Sequence, residues 1–332
     1  GRVDSMDSHS ATRQAQGSGA RRGRRSPLGF AAAVLAASAA ALLLGCSGEG
    51  EGTAGDSPEE PASSSTTSSL VTPLSLEVTQ DVPFTSERTM DVYAPGEGSD
   101  WPMVVHFHGG VATPEGSEEF AASVAEQGVV VMVPQWRSLG PAGGSEDTVC
   151  AIAFANERGD EYGGDTDSVT LSGYSTGGFT AVIHGFIGDT PPLPVTDCLV
   201  DPAIEAPEAV VGGGAPLFAA EWARAGLLAQ NPQWGTLTPE QIDAFDPYMA
   251  IGRNPALRIH LVFAEDDVGG NPNLEQPIAE SNRAYLKALA EAGYDVEATE
   301  VPGGHGDPLV AGSSAYDTYV SALVNTANRS QG

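Results

Sequence analysis

The stretch of this sequence that decides the fold is Ser168-Val169-Thr170-Leu171-Ser172-Gly173-Tyr174-Ser175-Thr176-Gly177-Gly178-Phe179. A β-branched and apolar run stops at a glycine, and an apolar helical pattern begins after two further glycines, which predicts a strand, a sharp turn and a helix. Gly173, Ser175 and Gly177 fit the G-x-S-x-G nucleophile elbow, whose serine takes a strained backbone conformation between two glycines. A glycine-rich turn without chemistry has the same local pattern, so the rest of the chain must decide between the two.

The chain is strongly acidic. Its 332 residues suffice for one large α/β domain or two small ones, and a hydrophobic content of 41% is ordinary for a globular protein. The sequence has 44 acidic residues against 15 Lys and Arg, a net charge of -29. Such a surface repels phosphate backbones and anionic lipid, which excludes a nucleic-acid partner. We interpret the charge as an adaptation for solubility or salt.

Residues 1–45 have the pattern of an export signal. A basic cluster at 21–25 precedes an apolar run at 28–44 that is too short for a membrane span. Cys46 ends this run after Leu-Leu-Gly and resembles the lipidated cysteine of a bacterial lipobox; the alternative is an ordinary signal peptide with a chance cysteine. The pattern predicts an exported protein, anchored to the outer face of the bacterial cell membrane only through a lipid on Cys46, or secreted.

Residues 46–73 are rich in Ser, Thr, Pro and Glu and poor in apolar residues, which predicts a flexible tether. The remainder, 74–332, is long enough for one large domain. It contains Cys150 and Cys198, and in an oxidising compartment two such cysteines predict a disulfide. No histidine or further cysteine stands at ligand spacing beside either one, so we expect no metal site there.

Short, almost wholly apolar strands alternate with helices along this domain, after an opening antiparallel pair. This order predicts an α/β fold with a mostly parallel central sheet and helices on both faces. The predicted strands are 74–79, 89–93, 103–107, 129–133, 169–172, 209–211, 259–263 and 295–301. The predicted helices are 117–127, 147–157, the helix after the elbow, 278–292 and 315–327. An excursion at about 215–254 is rich in Trp, Phe and Leu, and is either a helical cap that shapes a pocket or plain packing.

A serine nucleophile needs backbone donors for the oxyanion that its attack creates. The strand at 103–107 ends in His108-Gly109-Gly110-Val111, where missing side chains let backbone N–H groups approach an anion. Either Gly110 or Val111 is predicted to supply one donor and Thr176, which follows the serine, the other. For His108 we expect a structural role in holding the loop.

An acid and a base follow two later strands. Glu265, Asp266 and Asp267 come just after the strand at 259–263, and His305 lies in a glycine-rich loop after the last strand. The chain order Ser175, Asp267, His305 therefore gives a nucleophile, an orienting acid and a base at three strand ends. Because side chains alternate along an extended run, Glu265 and Asp267 are predicted on one side and Asp266 on the other.

With these motifs the sequence resembles the α/β-hydrolase fold family, in particular bacterial secreted carboxylesterases and the related dienelactone-hydrolase and acetyl-xylan-esterase-like groups. The resemblance extends from about Leu74 to Asn328. It implies that Ser175 is the nucleophile, that His305 is the catalytic histidine, and that His108-Gly109-Gly110 is the oxyanion loop. The family's G-x-x-D pattern places the acid at Asp267. Ala264 stands where that pattern has glycine, which leaves Asp266 as the alternative acid.

The resemblance implies a monomeric serine hydrolase that cleaves small-molecule or polymer-borne carboxylic esters through an acyl-enzyme, with no cofactor and no metal. Two other functions stay open: a catalytically silent surface binding protein, and an acyltransferase that uses the same triad. Tyr174 and Trp136 are predicted substrate contacts, although Trp136 either stacks on substrate or fills a gap.

Overall fold

The computed structural model describes residues 73–110, 113–138, 141–218, 235–269 and 277–331. Its strands are β1 (Leu76–Pro83), β2 (Thr89–Pro95), β3 (Trp101–Phe107), β4 (Val130–Pro134), β5 (Gly164–Tyr174), β6 (Ala209–Gly213), β7 (Arg258–Ala264) and β8 (Asp295–Val301). The predicted export signal, Cys46 and all but the last residue of the predicted tether lie outside the described residues.

The strands form one sheet in the order β1-β2-β4-β3-β5-β6-β7-β8. The pairs β1–β2 and β2–β4 are antiparallel, and every pair from β4–β3 to β7–β8 is parallel. The prediction of a mostly parallel sheet with an antiparallel opening pair is confirmed. The parallel strands all end at the same edge of the sheet, so the loops after β3, β5, β7 and β8 converge there.

The helices are α1 (Glu118–Ala125), α2 (Pro141–Arg158), α3 (Thr176–Ile187), α4 (Pro239–Asp243), α5 (Pro247–Ala250), α6 (Ile278–Glu291) and α7 (Ser314–Arg329). Within the described ranges, no helix is both long enough and apolar enough to cross a bilayer. The helix α2 begins six residues before its predicted start. Its first turns contain Gly143 and Gly144. Because glycine has a low helix propensity, the sequence pattern did not predict a helix there.

Alternate residues of the central strands pack on opposite faces of the sheet. In β3, Met103 and Val105 belong to one apolar cluster and Val104 to a second, because successive side chains of a strand point to opposite faces. The first cluster packs against α2, α3 and α6, and the second against α1 and α7. Helices therefore cover both faces, as the almost wholly apolar strands predict.

The excursion at about 215–254 is described only in part, because 219–234 lie outside the described residues. Its described part carries the two short helices α4 and α5, each starting with a proline after a capping residue, Thr238 or Asp246. Phe218 and Phe245 are buried, which favours packing over a pocket-shaping role for these two aromatic side chains.

Cys150 and Cys198 are joined by a disulfide, as predicted. The bridge ties α2 to the segment after α3. Glu146, also on α2, accepts hydrogen bonds through Oε1 from the backbone N–H groups of Thr196 and Asp197, at 2.7 and 3.1 Å. One turn of α2 thus fixes the neighbouring segment by a covalent bond and by a carboxylate.

Removal of this bridge in Cys198→Ser should lower the free energy of unfolding by about 4 kcal/mol, because a crosslink across a loop of this length restricts the unfolded chain. The two cysteines are 48 residues apart. Urea unfolding of the oxidised wild type and the variant measures the difference. Under a reducing agent the two proteins should unfold alike; equal stability under oxidising conditions would contradict the prediction.

Candidate active site

Ser175 lies at the apex between the end of β5 and the start of α3. Its φ of 56° and ψ of -121° are unusual for a residue with a side chain and mark a strained turn. Two backbone hydrogen bonds hold Ser175 in this strained conformation. The Ser175 N–H donates to the Gly213 carbonyl at 2.8 Å, and its carbonyl accepts from the Phe179 N–H at 3.0 Å. The hydroxyl therefore projects from a turn that the sheet and the helix fix together.

The two glycines of the motif are required by close approach. A Cβ at Gly173 would collide with the Gly177 backbone, and one at Gly177 would collide with the Phe107 carbonyl at the end of β3. No small side-chain movement relieves a clash with backbone. The G-x-S-x-G spacing thus lets α3 start directly over the strand ends, which is the strand, turn and helix that the sequence predicts.

Ser175, His305 and Asp267 form a continuous hydrogen-bonded chain. His305 Nε2 lies 3.0 Å from Ser175 Oγ, and His305 Nδ1 lies 2.9 and 3.0 Å from the two oxygens of Asp267. Asp267 is fully buried, whereas the His305 side chain is 24% exposed. A carboxylate at Nδ1 accepts the proton of that nitrogen and leaves Nε2 free to accept from the serine. The structure brings together the three side chains that the sequence selected.

The acids after β7 do not alternate as expected. The strand ends at Ala264, and the Asp267 N–H donates to the Ala264 carbonyl at 3.1 Å, so the chain turns there. Glu265 and Asp266 are both exposed, and Asp267 alone of the three is buried. The prediction that Glu265 and Asp267 share one side is wrong, because the two-residue alternation holds only while the chain stays extended. Asp267 Oδ1 also accepts from the Gly269 N–H at 2.8 Å, which fixes the carboxylate.

The loop that carries His305 is held by two groups outside the triad. The Tyr174 hydroxyl donates to the His305 carbonyl, and the two rings lie 5.4 Å apart. Burial, with a smaller effect from the Asp267 charge, raises the pKa of Tyr174 well above its usual value, so it stays a neutral donor. Asp307 accepts from the Gly304 N–H at 2.6 Å.

Tyr174 is buried, and its geometry favours a role in holding His305 over the predicted contact with substrate. Sequence reasoning missed both of these supports. An Asp two residues after a histidine between glycines is a turn signal that points to Asp307. No sequence pattern links Tyr174 to His305.

The oxyanion loop crosses next to the nucleophile. A Cβ placed on Gly109 would lie 3.7 Å from Ser175 Cβ, so the loop backbone is in contact distance of the serine. His108 is buried, and its Nδ1 lies 2.9 Å from the Gly109 carbonyl, as expected of a residue that holds the loop. Val111 lies outside the described residues. Thr176 is in the first turn of α3, where backbone N–H groups have no acceptor within the helix.

Trp136 packs beside His108 of this loop. It is only 7% exposed, and its ring lies 5.7 Å from Phe107 and 5.8 Å from His108. These contacts favour the gap-filling alternative over stacking on substrate.

In the part of the chain that the structure describes, no three His, Cys, Asp or Glu side chains converge as metal ligands.

Two further buried histidines, His106 and His184, have strongly lowered pKa values. Burial lowers the pKa of His106 to about 3, with a smaller effect from His108, and burial lowers the pKa of His184 to about 4. His106 Nδ1 lies 3.3 Å from Ser172 Oγ. Both imidazoles are therefore neutral in the folded protein at neutral pH, and neither contacts the triad.

These two histidines should make folding stability depend on pH. Below about pH 6.5 the imidazoles take up protons in the unfolded chain but not in the folded one, so the unfolded state binds more protons. The free energy of unfolding should fall as pH drops from about 6.5 towards the folded-state values of about 4 for His184 and about 3 for His106. Urea unfolding at several pH values measures this slope.

Replacement of one imidazole isolates its share of the slope. His184→Gln cannot titrate, so its stability should fall with pH less steeply than that of the wild type, by about 1.4 kcal/mol per pH unit. If wild type and variant lose stability in parallel over this range, His184 is not the source of the dependence.

Comparison with known proteins agrees with the geometry. Residues 90–198 match the BD-FAE family model; this segment, about one third of the chain, contains the oxyanion loop and Ser175 but neither Asp267 nor His305. Gut esterase 1 of Caenorhabditis elegans is 31% identical over 107 residues, which cover 27% of this chain. The match spans only 19% of that relative's length.

Solved structures show the same fold over most of the chain. Esterase B of Lactobacillus rhamnosis, inhibited by a tributyrin phosphonate, superposes with a TM-score of 0.64 at 15% identity, over 78% of this chain and 87% of that one. Brefeldin A esterase, a bacterial homologue of human hormone sensitive lipase, gives 0.58 at 18% identity over 79% of each chain. An esterase from Thermogutta terrifontis gives 0.57 at 20% identity, over 75% of this chain and 92% of that one. The chain has the α/β-hydrolase fold, as the sequence predicts.

Proposed function

We propose that this chain, an α/β-hydrolase by its fold, is a serine hydrolase that cleaves carboxylic esters through an acyl-enzyme. The observation that carries the proposal is the hydrogen-bonded chain from Ser175 Oγ through His305 to the buried Asp267, with contacts of 2.9 to 3.0 Å. It starts at a strained serine with φ of 56°. The named esterases among its relatives support the reaction class.

In this mechanism the Ser175 oxygen attacks the acyl carbonyl carbon while His305 Nε2 takes the hydroxyl proton. Asp267 stabilises the imidazolium and holds its Nδ1–H. The backbone N–H of Thr176, with that of Gly110 or Val111, stabilises the oxyanion of the tetrahedral intermediate. The intermediate collapses by breaking the ester C–O bond, and His305 returns the proton to the alcohol. Water then attacks the acyl-enzyme by the same route and releases the carboxylic acid.

Labelling by a fluorophosphonate and turnover of p-nitrophenyl esters test the proposal. A serine hydrolase should be labelled at Ser175 and should hydrolyse esters in a series of increasing acyl length, which also ranks acyl groups. A catalytically silent binding protein would show neither. An acyltransferase would be labelled but would pass the acyl group to an added alcohol in preference to water, which product analysis detects.

The expectations for export, for lipidation of Cys46 and for a monomer remain predictions. Residues 1–72 lie outside the described part of the chain. The proposed substrates are small-molecule or polymer-borne esters. The proposed reaction uses no cofactor.

A further inference from the structure

Ser138, in the segment after β4, contacts the oxyanion loop directly. Its hydroxyl donates to the Gly110 carbonyl at 2.7 Å, across 28 residues of sequence. We infer that Ser138 is a positioning residue for the oxyanion loop: it holds Gly110 by its carbonyl so that the loop is ready to stabilise the developing oxyanion. The inference rests on the ester hydrolysis proposed above and adds a residue to it.

The geometry of a peptide bond explains why a contact on the carbonyl matters. In a planar trans peptide the C=O and the following N–H point in opposite directions. Gly110, whose own N–H is a candidate oxyanion donor, lies between two such peptides, so its orientation depends on both. The hydrogen bond from Ser138 to the Gly110 carbonyl therefore restricts rotation of the peptide that follows Gly110, and with it the backbone of Gly110.

The neighbouring peptide is held in the same way. His108 Nδ1 lies 2.9 Å from the Gly109 carbonyl, whose peptide carries the Gly110 N–H. A carbonyl oxygen only accepts, so His108 Nδ1 carries the hydrogen of this bond. Burial lowers the pKa of the His108 imidazole. His108 and Ser138 thus hold two successive peptides of the loop by their carbonyl oxygens.

The two glycines of the loop need such support because they cannot supply it themselves. Gly109 and Gly110 have no side chains to pack, and glycine has the widest backbone freedom of any residue. An oxyanion hole stabilises charge because its donors are already in place before the reaction. The two glycines next to Ser175 therefore depend on other residues, His108 and Ser138, to hold their backbone in place.

Ser138 itself is held in place. The preceding residue, Arg137, donates to the fully buried Asp147 on α2 from its backbone N–H and from its Nε at 2.8 Å, and from Nη2 at 2.6 Å. The Ser138 N–H donates to the Trp136 carbonyl at 2.9 Å. These bonds connect the Ser138 hydroxyl to a helix that the disulfide also anchors, so the donor is rigid enough to position the loop.

Kinetics of Ser138→Ala test the inference. Loss of a direct oxyanion donor costs about 10² to 10³ in kcat, and loss of a support for one should cost less, about tenfold, with KM for a p-nitrophenyl ester unchanged. The inhibition constant of a trifluoromethyl ketone that mimics the tetrahedral intermediate should rise by the same factor. The rate of labelling by a fluorophosphonate should fall by that factor as well. Ser138→Thr, which keeps the hydroxyl, should recover most of kcat.

Two further variants control for folding. Ser138→Cys keeps the shape of the side chain with a slightly larger atom and offers only a weak S–H donor, so kcat should fall as in the alanine variant. Ser321→Ala removes an exposed serine on α7 away from the site and should leave kcat unchanged. Urea midpoints of all variants report whether a loss of activity follows a loss of fold.

Three results would overturn the inference: an unchanged kcat in Ser138→Ala, a rise in KM alone, or a threonine variant as slow as the alanine variant. The wild type decides the proposed function in the same experiment. If it is neither labelled nor active, the proposed function fails and this inference with it. If it is labelled and active while Ser138→Ala matches it, only the role of Ser138 is wrong.

Discussion

Ser175→Ala should lower kcat for p-nitrophenyl esters by on the order of 10⁶, because the attacking oxygen is lost and His305 has no proton to take. The loop and the helix start would remain, so a small residual rate is expected from the oxyanion donors and from binding alone. Alanine differs from serine only in the hydroxyl, and the fold should persist. Steady-state kinetics at matched concentration measure the loss.

Labelling provides the control for this variant. The wild type should be labelled by a fluorophosphonate at Ser175, as mass mapping of the peptide would establish, and the variant should not be labelled. Circular dichroism and urea unfolding should show the variant to be folded. A folded variant that keeps a tenth of the activity would exclude Ser175 as the nucleophile.

Asp267→Asn should lower kcat by roughly 10⁴. An asparagine amide in place of the carboxylate can donate to His305 Nδ1, which puts the ring proton on Nε2, the atom 3.0 Å from Ser175 Oγ. In that tautomer Nε2 cannot accept the serine proton. The oxygen of the amide can still accept from the Gly269 N–H, which Asp267 Oδ1 now does at 2.8 Å, so the loop should keep its shape.

The adjacent acid is a matched control. Asp266→Asn makes the same chemical change one residue away, at an exposed side chain whose backbone N–H pairs with the Gly303 carbonyl at 3.1 Å, and kcat should be nearly unchanged. If Asp266→Asn proves the more damaging of the two, the acid has been assigned to the wrong residue.

Much of the fold and the candidate site was predictable because the signals are short and local. Each parallel strand is an almost wholly apolar run, and the residues just past the ends of such strands meet at one edge of the sheet. The serine, the acid and the base could therefore be selected from three strand ends. Asp267 was selected by family spacing, whereas the argument from alternating faces failed once the chain turned after Ala264.

The supports of the site could not be predicted, because each joins polar groups far apart in sequence. Ser138 contacts Gly110 across 28 residues, and Tyr174 contacts His305 across 131. A single hydroxyl has no periodicity, and its partner is a backbone carbonyl that every residue possesses. Such contacts depend on how loops lie on the finished sheet, which local pattern does not encode.

The order of the strands along the chain has a consequence for synthesis and folding. Ser175 follows β5, whereas Asp267 follows β7 and His305 follows β8, 130 residues after Ser175. Contacts of such long sequence separation form late, because chain entropy opposes them until other parts have assembled. Under the proposed mechanism, a nascent chain would therefore carry Ser175 well before His305 has been made, and it would become able to hydrolyse esters only after β8 and the loop that follows it have joined the fold.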